Sequence, residues 1–391
     1  MSLQEEVVLH KGTYKKTATV TEAVFMITGM TIGAGILALP YTISRIGLLP
    51  GLGYIATLGF VMLFFNLMIG EIALRTKEPM QLPGFAGKYL GKWAKFIISI
   101  TILVSAFGSL LAYIIGEGMA LSAMLGGNAI MWSIIFWTVG SLLVWSGMQR
   151  IKLIDKFFGV AIMTIIAAIS LYLLPRFHST ELTYFNANNL LFPLGVILFA
   201  LHASPAVAEV HALLPGAERR FRRALVWGTL IPVGLYLLFT AAVVGFTGRE
   251  ATEIATLGLS IASGPMIGFF ANLFAVLAMT TGFLGMSTAL RETLVWDHRF
   301  PDRIALFLVI SLPFSLFLLG VRSFIGVLEA IGGVCMGLEG IIMAGVYLKA
   351  RKGYDLIPER YYFPKHPWVI TLPVLVFFGA LLVVTVWSFV K

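Results

Sequence analysis

The 391-residue chain has a single cysteine, Cys335. That excludes an intramolecular disulfide and any metal cluster built on cysteines, and leaves the thiol the role of a small packed hydrophobe. Charge is also scarce: Asp, Glu, Lys and Arg make up 12% of the residues, against roughly 25% in soluble domains. No phosphate-cradling GxxxxGK[ST] loop, nucleophile elbow or metal-ligand spacing is present, and His211 follows Glu209 without a partnered spacing. Nothing in the pattern calls for a cofactor. No cleavable leader is expected either. The opening MSLQEEVVLHKGTYKK is polar, and the first apolar segment is too long and lacks a small-residue cleavage site.

Apolar residues make up 59% of the chain and the mean hydropathy is +0.92. Stretches of about 20 apolar residues, enough to cross the hydrocarbon core, recur along its length. They predict eleven transmembrane helices over 18-46, 50-74, 95-125, 128-147, 154-174, 189-214, 224-247, 265-296, 304-320, 323-348 and 367-390. Everything between them is short connection, so the fold class is an all-α integral membrane protein.

The net charge of +9 follows topology and does not form a nucleic-acid-binding patch. With the N-terminus placed in the cytoplasm, 23 of the 28 basic residues fall on inner segments, among them Arg219, Arg220, Arg222 and Arg223, and five on outer ones. That bias predicts a multi-pass protein of the cell membrane with its N-terminus inside and its C-terminus outside.

Two segments carry interruptions. The first contains MTIGAGILALPY, residues 30–41, and the sixth FALHASPAVAEV, residues 199–210, around His202 and Pro205. Glycine and proline weaken a helix interior, and freed backbone groups survive at membrane depth only beside protein or a wet cavity. Breaks at corresponding positions in two halves point to a carrier's central site. The two broken segments, the first and the sixth, are five apart, and an odd offset inverts the second half relative to the first. The expected organisation is a cytoplasmic segment 1-17, a ten-helix inverted-repeat core 18-348, a cytoplasmic loop 349-366, and an eleventh helix with a short outer C-terminus over 367-391. Close packing through the Gly29–Gly33 spacing is a competing role for the first break.

A zwitterionic amino acid needs donors for its carboxylate and acceptors for its ammonium, without buried net charge. The first break, Thr31, Gly33, Ala34 and Gly35, offers N–H groups at the start of a half-helix. Carbonyls near Phe199, Ala200 and Leu201, with the Ser204 hydroxyl, offer acceptors. Ionisable groups at depth are functional candidates by default. His202 suits proton coupling, and Glu117 and Glu209 are candidates for a relay or gate. Glu22, Glu71, Glu329 and Glu339 read as solvated or capping groups near segment ends.

The motif EAVFMITGMTIGAGILALPY, the loop GFAGKYLGKWAK, the Phe199…His202…Pro205 arrangement and AMTTGFLG at 278–285 resemble the amino acid/auxin permease branch of the amino acid, polyamine and organocation transporters. The similarity is greatest to bacterial tryptophan and tyrosine permeases and spans nearly the whole chain. It implies the inverted-repeat fold of amino acid carriers, with segments one and six lining the site and Tyr113 facing the substrate. It also implies a possible sodium site from the carbonyls of Gly29, Ile32 and Ala278 with the Thr281 hydroxyl. Gly282 stands where many relatives carry a second hydroxyl, which weakens that site and favours protons. Lys156 would place an ammonium near the vacated cation position, or snorkel as an ordinary inner lysine. Ala200-Leu201 replaces the glycine and aromatic usual before the histidine in aromatic permeases.

The expected function is a secondary active symporter, driven by protons, for a neutral amino acid with a medium or large apolar side chain, aromatic ones included. Sodium coupling of the same fold is the nearest rival, and a sensor that binds without sustained transport shares every candidate residue. The partners expected are a small-molecule amino acid substrate and the lipid bilayer, with no nucleic acid; the sequence does not set the oligomeric state.

Overall fold

The computed structural model describes residues 19–78, 80–146, 148–214, 218–296, 298–353, 355–356, 362–363 and 366–390, without the side chains of 148–157, 296 and 388–390. The expected segment 1-17 and part of the loop 349-366 lie outside the described residues.

Helices supply the regular structure of these residues, and no strand occurs among them. Helix α1 (Val20–Thr31) opens with a capping box in which the Thr19 hydroxyl accepts from the Glu22 N–H and Glu22 accepts from the Thr19 N–H. Glu22 thus caps, as its position at a segment start suggests. The chain breaks at Ile32-Gly33 and resumes as α2 (Ala34–Ser44), inclined 53° to α1. Next come α3 (Leu48–Leu74), the short α4 (Leu82–Leu90), α5 (Lys92–Leu125), α6 (Ala129–Ser146) and α7 (Met148–Leu173).

The second half repeats this order. Helix α8 (Pro193–Ala200) breaks over Leu201–Ala203 and resumes as α9 (Ser204–Leu213). It is followed by α10 (Glu218–Thr247), the short α11 (Ala255–Ala262), α12 (Pro265–Trp296), α13 (Asp302–Leu318), and α14 (Phe324–Ala330) joined to α15 (Met336–Ala350). A final helix, α16 (Trp368–Val390), stands outside the repeat. In each half a broken span comes first and a short connecting helix, α4 or α11, follows the second span. This is the five-plus-five inverted repeat with one added helix.

Among the described residues, nine helices are long and apolar enough to cross a membrane, and the α1–α2 pair makes a tenth. The remaining expected segment is α13, whose 17 residues span about 26 Å at 1.5 Å per residue, slightly short of a hydrocarbon core of about 30 Å.

Helix α10 packs along α1 and α3, and α12 along α5, α7 and α1. Between α14 and α15 the backbone makes a π-helical turn, Ile331–Cys335, which packs on α8. Glycine is required there, because a Cβ on Gly332 would lie 1.7 Å from the Gly195 carbonyl oxygen. Cys335 is buried in this turn, in the packing role its solitude suggested.

Candidate functional site

The two breaks are tied together by a residue that sequence reasoning missed. Tyr236, fully buried on α10, directs its hydroxyl at the Thr31 carbonyl (2.7 Å) and the Ala200 carbonyl (2.9 Å). These are the last carbonyls of the two half-helices before each interruption, groups that lack intrahelical donors. One hydroxyl hydrogen serves both, so it is shared or alternates between them. Nothing in the sequence near Tyr236 marks it; only the fold brings α10 against both breaks.

Of the acceptors expected in the sixth span, the Ala200 carbonyl is therefore engaged by Tyr236, and the Phe199 carbonyl accepts from the His202 N–H at 3.2 Å. The side chain of Thr31 donates to the Ile27 carbonyl at 2.7 Å. On the donor side, α2 starts at Ala34 with no side-chain cap, leaving its first-turn N–H groups without intrahelical acceptors. Two hydroxyls nearby are buried without a hydrogen-bond partner: Thr28 on α1 and Ser204 on α9. Helices α1 and α9 pack against each other. Thr28 is a further residue not singled out from the sequence, since a threonine in an apolar helix usually bonds back to its own backbone.

Tyr113 lies across the first break. A Cβ on Gly33 would stand 2.7 Å from its hydroxyl, and a Cβ on Gly282 would stand 2.6 Å from its ring. The ring therefore occupies the space that a side chain at position 282 would fill, which gives the absence of a hydroxyl there a steric cause. Gly35 serves another purpose, since its Cβ would meet the Ala200 Cα at 2.4 Å. It lets α2 and α8 touch backbone to backbone. Gly29 has nothing within 4 Å of a built Cβ, so close helix contact at that glycine is not its role. Thr31, Tyr113, Phe199, Ala200, Leu201 and Ser204 are all at most 7% exposed, so a substrate reaches them only if a wall of the site moves.

Of the residues of the possible sodium site, Gly29 lies on α1, Ile32 in the first break, and Ala278 and Thr281 on α12, which contacts α1. The Thr281 hydroxyl is turned to its own helix, donating to the Ala278 (2.9 Å) and Leu277 (3.1 Å) carbonyls. The side chain of Lys156 lies outside the described residues.

The acidic residues require two corrections. Glu339, read from the sequence as an end-of-segment group, is 1% exposed and stands 3.3 Å from His202 Nε2. Glu71, read the same way, is fully buried and shared by Arg75 and Arg351. In each case a partner distant in the sequence draws the carboxylate inward, and a buried carboxylate requires one. Glu117 is fully buried and accepts from the Thr280 hydroxyl at 2.8 Å, its other oxygen having no hydrogen-bond partner. Glu209 is buried on α9.

Paired broken helices and the five-plus-five repeat define the fold of the inverted-repeat transporter class. The same architecture occurs in two solved structures of low sequence identity. MhsT in complex with L-phenylalanine superposes with a TM-score of 0.69 at 14% identity, covering 95% of this chain and 99% of that one. Mhp1, a nucleobase-cation-symport-1 family transporter, superposes with 0.61 at 13%, covering 96% and 94%.

Residues 16–386 match the tryptophan/tyrosine permease family, and the chain belongs to it. Relatives include "Tyrosine-specific transport system 2" of Haemophilus influenzae, 26% identical over 86% of this chain and 89% of that protein. Another is "Glutamine transporter 2" of Aliivibrio fischeri, 25% identical over 68% and 72%. The protein is thus a multi-pass membrane protein of an amino acid transport family, and its relatives are permeases and not enzymes.

Proposed function

We propose that the protein is a proton-coupled symporter of a neutral amino acid with a medium or large apolar side chain, working by alternating access from a cell membrane with its N-terminus inside. The observation that carries this reading is the His202–Glu339 pair, 3.3 Å apart and nearly inaccessible, located where the sixth span is broken. With a neutral imidazole the pair bears one negative charge; a proton taken onto His202 converts it to a neutral imidazolium–carboxylate pair. A zwitterionic substrate adds no net charge beside this pair. Proton and substrate can then stabilise the same closed state, which is the condition for coupling their movements.

The substrate's carboxylate would be received by the first-turn N–H groups of α2 at Ala34 and Gly35, with the Thr28 and Ser204 hydroxyls completing the polar contacts. The Leu201 carbonyl is the acceptor proposed for the ammonium, since those of Phe199 and Ala200 already have donors. Tyr113 would form a movable cover over Gly33. Protons are preferred to sodium because Tyr113 fills the space beside Gly282, where a second hydroxyl ligand would stand.

The test is uptake of labelled amino acids into proteoliposomes holding only this protein, under an imposed pH gradient and, separately, a sodium gradient. Concentrative uptake with protons alone is expected. A strict need for sodium would return the coupling role to Gly29, Ile32, Ala278 and Thr281, and no uptake under either gradient would sink the transport reading.

A further inference from the structure

Away from the central site, the first two turns of α10 carry Arg219, Arg220, Arg222 and Arg223, all exposed. No carboxylate pairs with these guanidiniums among the described residues, in contrast to Arg75, Arg291 and Arg351. Like charges three and four apart on one helix repel, so an unneutralised cluster of this kind is poised for an anion. Three of the four, Arg219, Arg222 and Arg223, line a cavity of about 360 Å³, in which Glu218 supplies the one opposing charge among the described lining residues.

The far wall of the cavity is Tyr362, from the segment before α16. The Tyr362 hydroxyl donates to the Glu218 carbonyl at 3.1 Å, and its ring takes the Arg222 guanidinium over its face at 5.5 Å. Arg222, though exposed, therefore has its guanidinium at the cavity. The remaining wall is apolar: Val226 and Trp227 lie one turn further along the same helix, and Trp227 is 56% exposed. Trp227 follows Arg223 by four residues, so the two share a helix face. An exposed tryptophan one turn beyond a row of cations marks the level at which water gives way to hydrocarbon.

We propose that this cavity binds the phosphodiester headgroup of an anionic phospholipid, with the phosphate between Arg222 and Arg223 and the start of the acyl chains along Val226 and Trp227. A planar guanidinium fork matches phosphate oxygens two at a time, and basic pockets beside spanning helices suit such headgroups. A free phosphate would satisfy the arginines but leave the tryptophan wall unused, which is why a lipid is the better fit.

The experiment is thermal unfolding of the full chain in an uncharged detergent, titrated in separate series with phosphatidylglycerol, phosphatidylcholine and inorganic phosphate. A ligand of the folded state raises the unfolding temperature saturably. Phosphatidylglycerol is expected to do so and the other two are not. Removing two cations in R222Q/R223Q should move the midpoint of that titration by roughly tenfold or more, with the lipid-free unfolding temperature unchanged. The control R299Q/R303Q, which removes two exposed cations elsewhere, should titrate like the wild type. Should the double variant not yield folded protein, R222Q alone gives the same reading with a smaller shift. The proposal fails if phosphatidylcholine is equally effective, if inorganic phosphate alone reproduces the rise, or if R222Q/R223Q titrates as the wild type does.

Discussion

Tyr236 donates its hydroxyl to the Thr31 carbonyl at 2.7 Å, so the end of α1 is held by a helix of the other repeat. Ala200, across the site, lies within reach of the same hydroxyl. The substitution Y236F would keep the ring and remove the hydroxyl that serves both carbonyls, leaving Thr31 with the Gly33 N–H (3.1 Å) and the Ala200 carbonyl without this donor. An unsatisfied buried polar group costs about 1–3 kcal/mol. Y236F is expected to insert normally, to unfold at a lower temperature and to lose substrate affinity by roughly tenfold. Uptake kinetics in proteoliposomes measure this, and an unchanged KM would show that the strut is dispensable.

The mutual fit of Tyr113 and Gly282 predicts a specific non-additivity. G282A places a methyl in the space of the Tyr113 ring and should reduce transport. Y113L in the same chain makes room and should restore part of the lost stability, giving a coupling energy above about 1 kcal/mol in a double-mutant cycle. Additive losses would mean that the two residues do not share that space. By the same steric argument G282S would not confer sodium dependence, because its hydroxyl arrives with the same clash.

Proton coupling is expected to reside in one pair and not in every buried acid. H202Q and E339Q should each flatten the pH dependence of uptake, and the double variant should be no worse than either alone, because the two act as a unit. E117Q should be close to the wild type in pH dependence, since an amide oxygen still accepts from Thr280. If E117Q flattened the profile and H202Q did not, the relay would lie between α5 and α12 and the assignment to His202 would be withdrawn.

The broken spans and the five-helix offset were legible because glycine, proline and hydropathy are local signals. The eleven apolar segments reappear as helices, even where α13 is slightly short of the hydrocarbon thickness. Pairings across the repeats were not legible. Glu339 and Glu71 looked peripheral because distance from a segment centre was the only available measure of depth, whereas burial was decided by His202 and by Arg75 with Arg351. Tyr236 looked like any aromatic of an apolar helix, and Gly282 looked like a lost ligand instead of room for Tyr113. Residues whose role depends on a partner more than a hundred positions away carry no mark in their own neighbourhood.

The basic end of the molecule holds a second buried ion cluster, whose energetics differ from those of an exposed pair beside it. Glu71 Oε1 accepts from Arg75 (2.8 Å) and Arg351 (2.9 Å), joining α3 to the end of α15. Glu71 is fully buried and Arg75 1% exposed. E71Q would leave two guanidiniums without their shared counter-charge, and breaking a buried pair costs about 3–5 kcal/mol, enough to lower the unfolding temperature by several degrees. Asp355, on the exposed side, is bonded by the Lys88 ammonium and the Lys77 backbone N–H, which hold its carboxyl below the usual carboxylate range. A depressed folded value means that the stabilisation is complete above the ordinary value of about 3.9 and is lost as the pH falls through the folded one. The gap in unfolding temperature between the wild type and D355N should therefore be small, constant between about pH 6 and pH 8, and closing toward about pH 3. A gap that widened on acidification would mean that Asp355 is not held ionised by Lys88.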